Sequence, residues 1–98
     1  MTKDLVARRY NVSGRVQGVG FRNYVEHAAA RIGVSGYVRN RRDGRVEVFA
    51  MGSPEELKQL RVGLERGPMM SRVDAVTEEP DAVEAKYLGN FVIEITIE

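Results

Sequence analysis

Val12-Ser13-Gly14-Arg15-Val16-Gln17-Gly18-Val19-Gly20-Phe21-Arg22 decides the fold, because a strand pattern ends inside it and a helix pattern begins. Upstream, Tyr10 and Val12 share one face of a period-two alternation, which predicts a strand from about Val6 to Gly14. Downstream, Phe21, Val25, Ala28 and Ile32 recur at i, i+4, i+7 and i+11, one face of a helix. Gly33 stands where a terminating glycine would stop that helix. Gly14, Gly18 and Gly20 let the backbone between them turn sharply and aim several N–H groups into one concavity at the helix start. Such a nest suits a phosphate or a carboxylate. Glycine also occupies strand-to-helix turns for steric reasons alone, so this pattern leaves both readings open.

The rest of the chain supplies the partners of this unit. Val34 to Arg39 and Arg45 to Met51 read as short strands around Asn40-Arg41-Arg42-Asp43-Gly44, whose Asp-Gly pair favours a tight hairpin. Ser53-Pro54-Glu55-Glu56 is a helix start, with Ser53 as cap, Pro54 in the first turn and Glu56 completing a capping box. Leu57, Leu60 and Leu64 give that helix its apolar face, and Gly67-Pro68 ends it. Met69 and Met70 then read as a loop packing onto the core. Two further strands are predicted, near Arg72–Glu78 and Asn90–Ile97. In the second, Phe91, Ile93, Ile95 and Ile97 point inward while Glu94, Thr96 and Glu98 point out. The order βαββαβ plus a final strand predicts an α+β, ferredoxin-like split βαβ sandwich. Right-handed crossovers place both helices on one face of a mainly antiparallel sheet.

Composition narrows the class. No linker, repeat or low-complexity segment interrupts the 98 residues, so 1–98 reads as a single domain. Cysteine is absent, which removes thiolate nucleophiles and cysteine metal sites and fits a reducing cytoplasm. The charges near Met1 precede no apolar run, so neither a signal peptide nor a membrane span is expected. A net charge of +1 argues against a dedicated nucleic-acid binder. The one histidine, His27, falls off the apolar stripe of its helix and is expected in solvent; alone, it makes a poor metal site. Ser13 has no partners for nucleophilic work. Glu78, Glu79, Asp81 and Glu84 read as a solvated acidic run.

Two residue groups carry charge where local stability does not ask for it. Arg22 falls in the first turn of a helix, where a cation opposes the macrodipole by about 0.3–1 kcal/mol. An anion in the nest would give it a partner, and so would a nearby surface carboxylate. Arg39, Arg41, Arg42 and Arg45 cluster around the hairpin as a solvated turn, a nucleic-acid patch or a field drawing an anion toward the nest. The nucleic-acid reading is weakened because the first strand offers Arg9, Asn11 and Ser13 on its outer face and the third offers only Phe49.

The segment from Val12 to Arg22 resembles the signature of the acylphosphatase family. Gly36-Tyr37-Val38-Arg39-Asn40, followed by Asp43-Gly44-Arg45-Val46-Glu47-Val48, resembles that family's second signature at the expected distance. The likeness covers nearly the whole chain. It implies hydrolysis of the carboxyl–phosphate anhydride of acyl phosphates to carboxylate and inorganic phosphate, with no metal and no cofactor. It also implies that Arg22 binds the phosphate, that Asn40 positions the attacking water, and that Arg15, Val16, Gln17, Gly18, Val19 and Gly20 form the backbone cradle. The expected partners are small acyl phosphates, with inorganic phosphate as product and inhibitor, acting on a free-standing cytoplasmic monomer. Without the resemblance, Asn40 reads as a turn former. A non-catalytic module binding an anion is the rival function, and the presence of both Arg22 and Asn40 favours the enzyme.

Overall fold

The structure is a computed structural model and describes residues 4–96. Its elements are β1 (Val6–Arg15), α1 (Phe21–Ile32), β2 (Ser35–Asn40), β3 (Val46–Gly52), α2 (Pro54–Arg66), β4 (Arg72–Asp81) and β5 (Phe91–Ile93). A 3-10 turn, Ala85–Tyr87, precedes β5. The strands form one sheet in the order β4-β1-β3-β2-β5, antiparallel at every junction except β2 with β5. Both helices pack on one face, α1 over β2 and β5 and α2 over β4, β3 and β1. This is the α+β, ferredoxin-like sandwich that the alternation and helical periods predict.

The core follows the two periods. Tyr10 and Val12 of β1, Val38 of β2 and Val46, Val48 and Ala50 of β3 point toward the helices. They meet Phe21, Val25 and Ala29 of α1 and Leu57, Leu60 and Leu64 of α2. Burying a side chain of this size contributes roughly 1.5–3 kcal/mol, so this layer dominates the stability of the fold. All seven residues of β3 are buried, as a central strand covered on both faces requires.

Part of the outer face of the sheet is covered. Phe49 is fully buried, stacked on Tyr37 at 5.5 Å between ring centroids, and Tyr87 closes over both rings. Ala7 and Met51 complete this second apolar cluster, with Val92 of β5 packed against it. The crossing from β4 to β5 therefore covers the rings that an RNA-stacking sheet would expose.

Three expectations need correction. Met69 and Met70 are exposed rather than packed on the core. β4 runs on to Asp81, beyond the expected Glu78. β5 spans only Phe91–Ile93, not Asn90 to Ile97, and Ile95 is 77% exposed rather than pointing into a core. Alternation reports which face a residue occupies, not what covers that face. Ile93, the last residue of β5, lines a cavity at the start of α1. Ile97 and Glu98 lie outside the described residues. His27 is exposed, as expected. In the acidic run, Glu78 pairs with Arg61 at 2.7 Å and Asp81 with Arg9 at 2.8 Å, while Glu79 is exposed.

Candidate active site

The two helix starts differ in chemistry. At α2, the Ser53 hydroxyl accepts from the Glu56 N–H, Glu56 answers by accepting from the Ser53 N–H, and Glu55 and Glu56 place negative charge on the first turn. At α1 the cap is Gly20, with no side-chain cap bond and no acidic residue in the first turn. Gly18 and Gly20 adopt φ of 74° and 78°, left-handed values that a side chain would strain. The backbone at the start of α1 thus turns sharply and leaves N–H groups without intrahelical partners.

Arg22 occupies the second position of this helix and makes no hydrogen bond or ion pair with any described residue. A cavity of about 210 Å³ opens beside it. Gly18 and Gly20 line one side, Arg22 and Asn23 another, and Asn40 at the end of β2 faces them, with Ile93 at the edge. Val16 and Phe21, both nearly fully buried, form the floor. The Asn40 side chain makes no hydrogen bond to another described residue. Register explains its position: Asn40 shares the inner face with Val38, two residues past this last residue of β2 paired with β5.

Of the sequence-derived site residues, the structure therefore brings Arg22, Asn40, Val16, Gly18 and Gly20 to one cavity. The side chains of Arg15, Gln17 and Val19 do not line it. Arg15 is exposed at the end of β1, opposite Arg72 of β4. Val19 is half-buried against the core. The Gln17 side chain leaves the cradle and donates to the carbonyls of Arg41 (2.8 Å) and Arg45 (2.9 Å). No sequence signal marks that last role.

Behind Asn40, on the outer face, lies a fully buried carboxylate. Glu47 accepts from the Tyr37 hydroxyl and from the guanidinium groups of Arg39 (3.2 Å) and Arg41 (3.0 Å). Burial pushes the Glu47 carboxyl up, but the Tyr37 hydroxyl and the two arginines outweigh it, so the group lies below its ordinary value. Burial and the bond to Glu47 raise the Tyr37 phenol. Asp43 is held well below the carboxylate range, chiefly by the Arg45 side chain and backbone N–H, with Arg41 adding to them. Arg39, Arg41 and Arg45 are therefore matched to carboxylates, and a field drawing anions to the site has little support from them. The sequence reading missed Glu47. Its signal was the register: a hairpin pairing residue 39 with 47 sets Arg39 directly beside it.

Among the described residues, no group of three or more His, Cys, Asp or Glu is arranged to hold a metal ion. No helix among them is long and apolar enough to cross a membrane.

An uncapped helix start, an arginine matched to no described residue and a facing amide share one cavity of a ferredoxin-like scaffold. The acylphosphatase family model matches residues 8–93 of the chain. An acylphosphatase of Koribacter versatilis is 55% identical over 96 residues, spanning 98% of this chain and 86% of its own. The crystal structure of the Bacillus subtilis acylphosphatase superposes with a TM-score of 0.85 at 34% identity, covering 93% of this chain and 99% of that one. Full-length HypF, in a phosphate- and nucleotide-bound form, matches with a TM-score of 0.89 at 26% identity, over 98% of this chain but 13% of its own length. The chain belongs to the acylphosphatase family, and the reaction assigned by that membership is hydrolysis of acyl phosphates.

Proposed function

We propose that Arg22 and the N–H groups around Gly18–Gly20 hold the phosphoryl group while Asn40 holds the water that attacks it. The observation that carries this reading is Arg22: a cation at the positive end of a helix, matched to no described carboxylate, in the same cavity as Asn40. A phosphoryl group supplies its missing partner, since a guanidinium binds phosphate oxygens through two parallel N–H bonds.

The chemistry asks for little more. The leaving group is a carboxylate, whose conjugate acid has a pKa near ~4, so it departs as a stable anion without a general acid. Phosphoryl transfer passes through a loose transition state, and its catalysis is mainly positioning and charge stabilisation. Preorganised N–H donors and one guanidinium supply that stabilisation. Asn40 is not basic, but its amide oxygen accepts a hydrogen bond from water and aims the lone pair at phosphorus. The water proton passes to a phosphate oxygen, so the substrate acts as its own base. The acyl portion leaves past Ile93, the exposed apolar residue of the cavity wall. An open wall of this kind suits broad acyl specificity.

Inorganic phosphate, sharing the charge and shape of the bound group, inhibits competitively in this reading. A monomer acting in the cytoplasm, without metal or cofactor, completes it; the cysteine-free sequence is suited to a reducing compartment.

The test compares benzoyl phosphate with an ordinary phosphate monoester, with and without EDTA. Rapid hydrolysis of the first, little of the second and indifference to chelation are expected, because an alkoxide leaving group needs a proton that no described residue of the cavity supplies. Asn40→Ala should lower kcat by about 10²–10³ while phosphate still binds, the size of effect seen when one preorganised polar contact is removed. Near-normal turnover in a folded Asn40→Ala protein would reduce Asn40 to a hairpin residue.

A further inference from the structure

Asn40 is the last residue of β2, and the loop beyond it, 41–45, is mostly exposed. A side chain that aims one water must be held within about 0.5 Å of its working position. Two anchors hold the backbone beside Asn40, one from each face of the sheet. Glu47, fully buried, grips the guanidinium groups of Arg39 and Arg41, the residues on either side of Asn40. Gln17 grips the carbonyls of Arg41 and Arg45 from the cradle side. Arg41 is thus held at both ends, by its side chain and by its carbonyl.

We propose that Gln17 is a positioning residue for the reaction: its side-chain amide ties the Asn40 hairpin to the cradle and so fixes the water-holding amide against the bound phosphoryl group. This rests on the reading of Asn40 given above. The amide NH₂ is matched to the task, since it has two N–H donors and both meet a carbonyl, across 24 and 28 residues of sequence. The fixed and movable ends of this tie are distinguishable. The cradle has other anchors: Val16 is 1% exposed, Val19 packs on the core, and β1 and α1 bracket the turn. The hairpin tip, by contrast, is exposed at residues 42–44. Loss of the tie therefore releases Asn40 rather than the phosphate nest. Each carbonyl keeps a second donor, Gly44 N–H to Arg41 and Arg41 N–H to Arg45, so removing the amide strands no buried acceptor and leaves the protein able to fold.

The test uses Gln17→Met, which keeps length without donors, and Gln17→Glu, which keeps shape but offers the carbonyls only acceptors. In the otherwise native protein each should lower kcat for benzoyl phosphate about tenfold, a fraction of the ~10² that a full ångström of misplacement costs. The dissociation constant of inorganic phosphate should stay within about twofold, because the nest is untouched. The decisive arm is the Asn40→Ala background, where Gln17→Met should cost no further rate, since the group it positions is already gone. Amide hydrogen exchange at residues 40 and 41 should quicken in Gln17→Met, with the rest of the sheet unchanged. A full tenfold loss in both backgrounds, or weakened phosphate binding, would place Gln17 in the cradle and overturn the proposal. Unchanged kcat in a folded Gln17→Met protein would do the same. A native protein inactive on acyl phosphates would sink the functional reading instead, leaving hydrogen exchange to judge whether the tie exists.

Discussion

The starts of α1 and α2 lie in one small chain and follow opposite rules. α2 begins with a serine cap, a proline and two acidic residues, one of them the reciprocal glutamate; together they satisfy or remove orphan N–H groups and complement the dipole. α1 begins with a left-handed glycine, no cap and an arginine. The sequence thus contains a well-formed helix start, and the other is not an accident of composition. Where stability is the only demand, the chain meets it; where N–H groups and positive charge are left unmatched, the proposed phosphoryl group would be the partner. The arginines repeat the contrast. Arg41 pairs with both Glu47 and Asp43, whereas Arg22 pairs with no described residue.

Exchanging residues across this contrast gives its sharpest tests. Arg22→Ala should have the largest effect, lowering kcat/KM for an acyl phosphate by about 10³ through the loss of a charged, two-pronged contact. Lysine at this position keeps the charge but not the planar fork and should restore little. Steady-state kinetics on folded protein check both, and a loss below about tenfold would mean that Arg22 is an ordinary surface residue.

Glu47→Gln removes the carboxylate that Arg39 and Arg41 share. Breaking a buried pair from one side costs about 3 kcal/mol or more, measurable by denaturant unfolding. The pH dependence follows from the same cluster. Glu47 and Asp43 both have folded-state values below the unfolded ones, so the stability they contribute is present above the ordinary carboxylate range near ~4. It is lost as pH falls through their depressed values. The native protein should weaken in that window, and Glu47→Gln should weaken less steeply. Identical acid profiles would show that the cluster is not electrostatically coupled.

Ser53→Ala gives the smallest effect and the cleanest control. Loss of this cap should cost about 1 kcal/mol of stability and leave kcat and KM unchanged. A change in turnover would mean that α2 communicates with the site, which the contrast between the two helices denies.

Much of this was legible before any coordinates. The periods of Phe21–Ile32 and of Leu57, Leu60 and Leu64 define both helices, and the Ser53 box marks one helix start to the residue. Arg22 was visible as a cation in the wrong turn, and Asn40 through the family signature. The poorly legible parts depend on what lies across from a residue. Phe49 alternates as an outward residue, and Tyr37 with the Tyr87 crossing helps to bury it. Ile95 alternates as an inward one, but it lies past the end of β5 and is exposed. Glu47 sits in an apolar strand like any solvent-facing glutamate, and Gln17 sits in a turn like any polar residue. Register and crossing paths, rather than local pattern, decide all four.

The central claim is that the start of α1 sacrifices stability for an anion, and thermal unfolding of native and Arg22→Ala proteins tests it directly, with and without inorganic phosphate. Without phosphate, Arg22→Ala should be as stable as the native protein or more so, by up to about 1 kcal/mol, since a cation leaves the positive end of a helix. With phosphate, the native protein should gain stability as RT ln(1 + [L]/Kd) requires, and the variant should gain almost none. A variant that is less stable without phosphate and still stabilised by it would contradict the account, because Arg22 would then be holding the fold rather than waiting for the substrate.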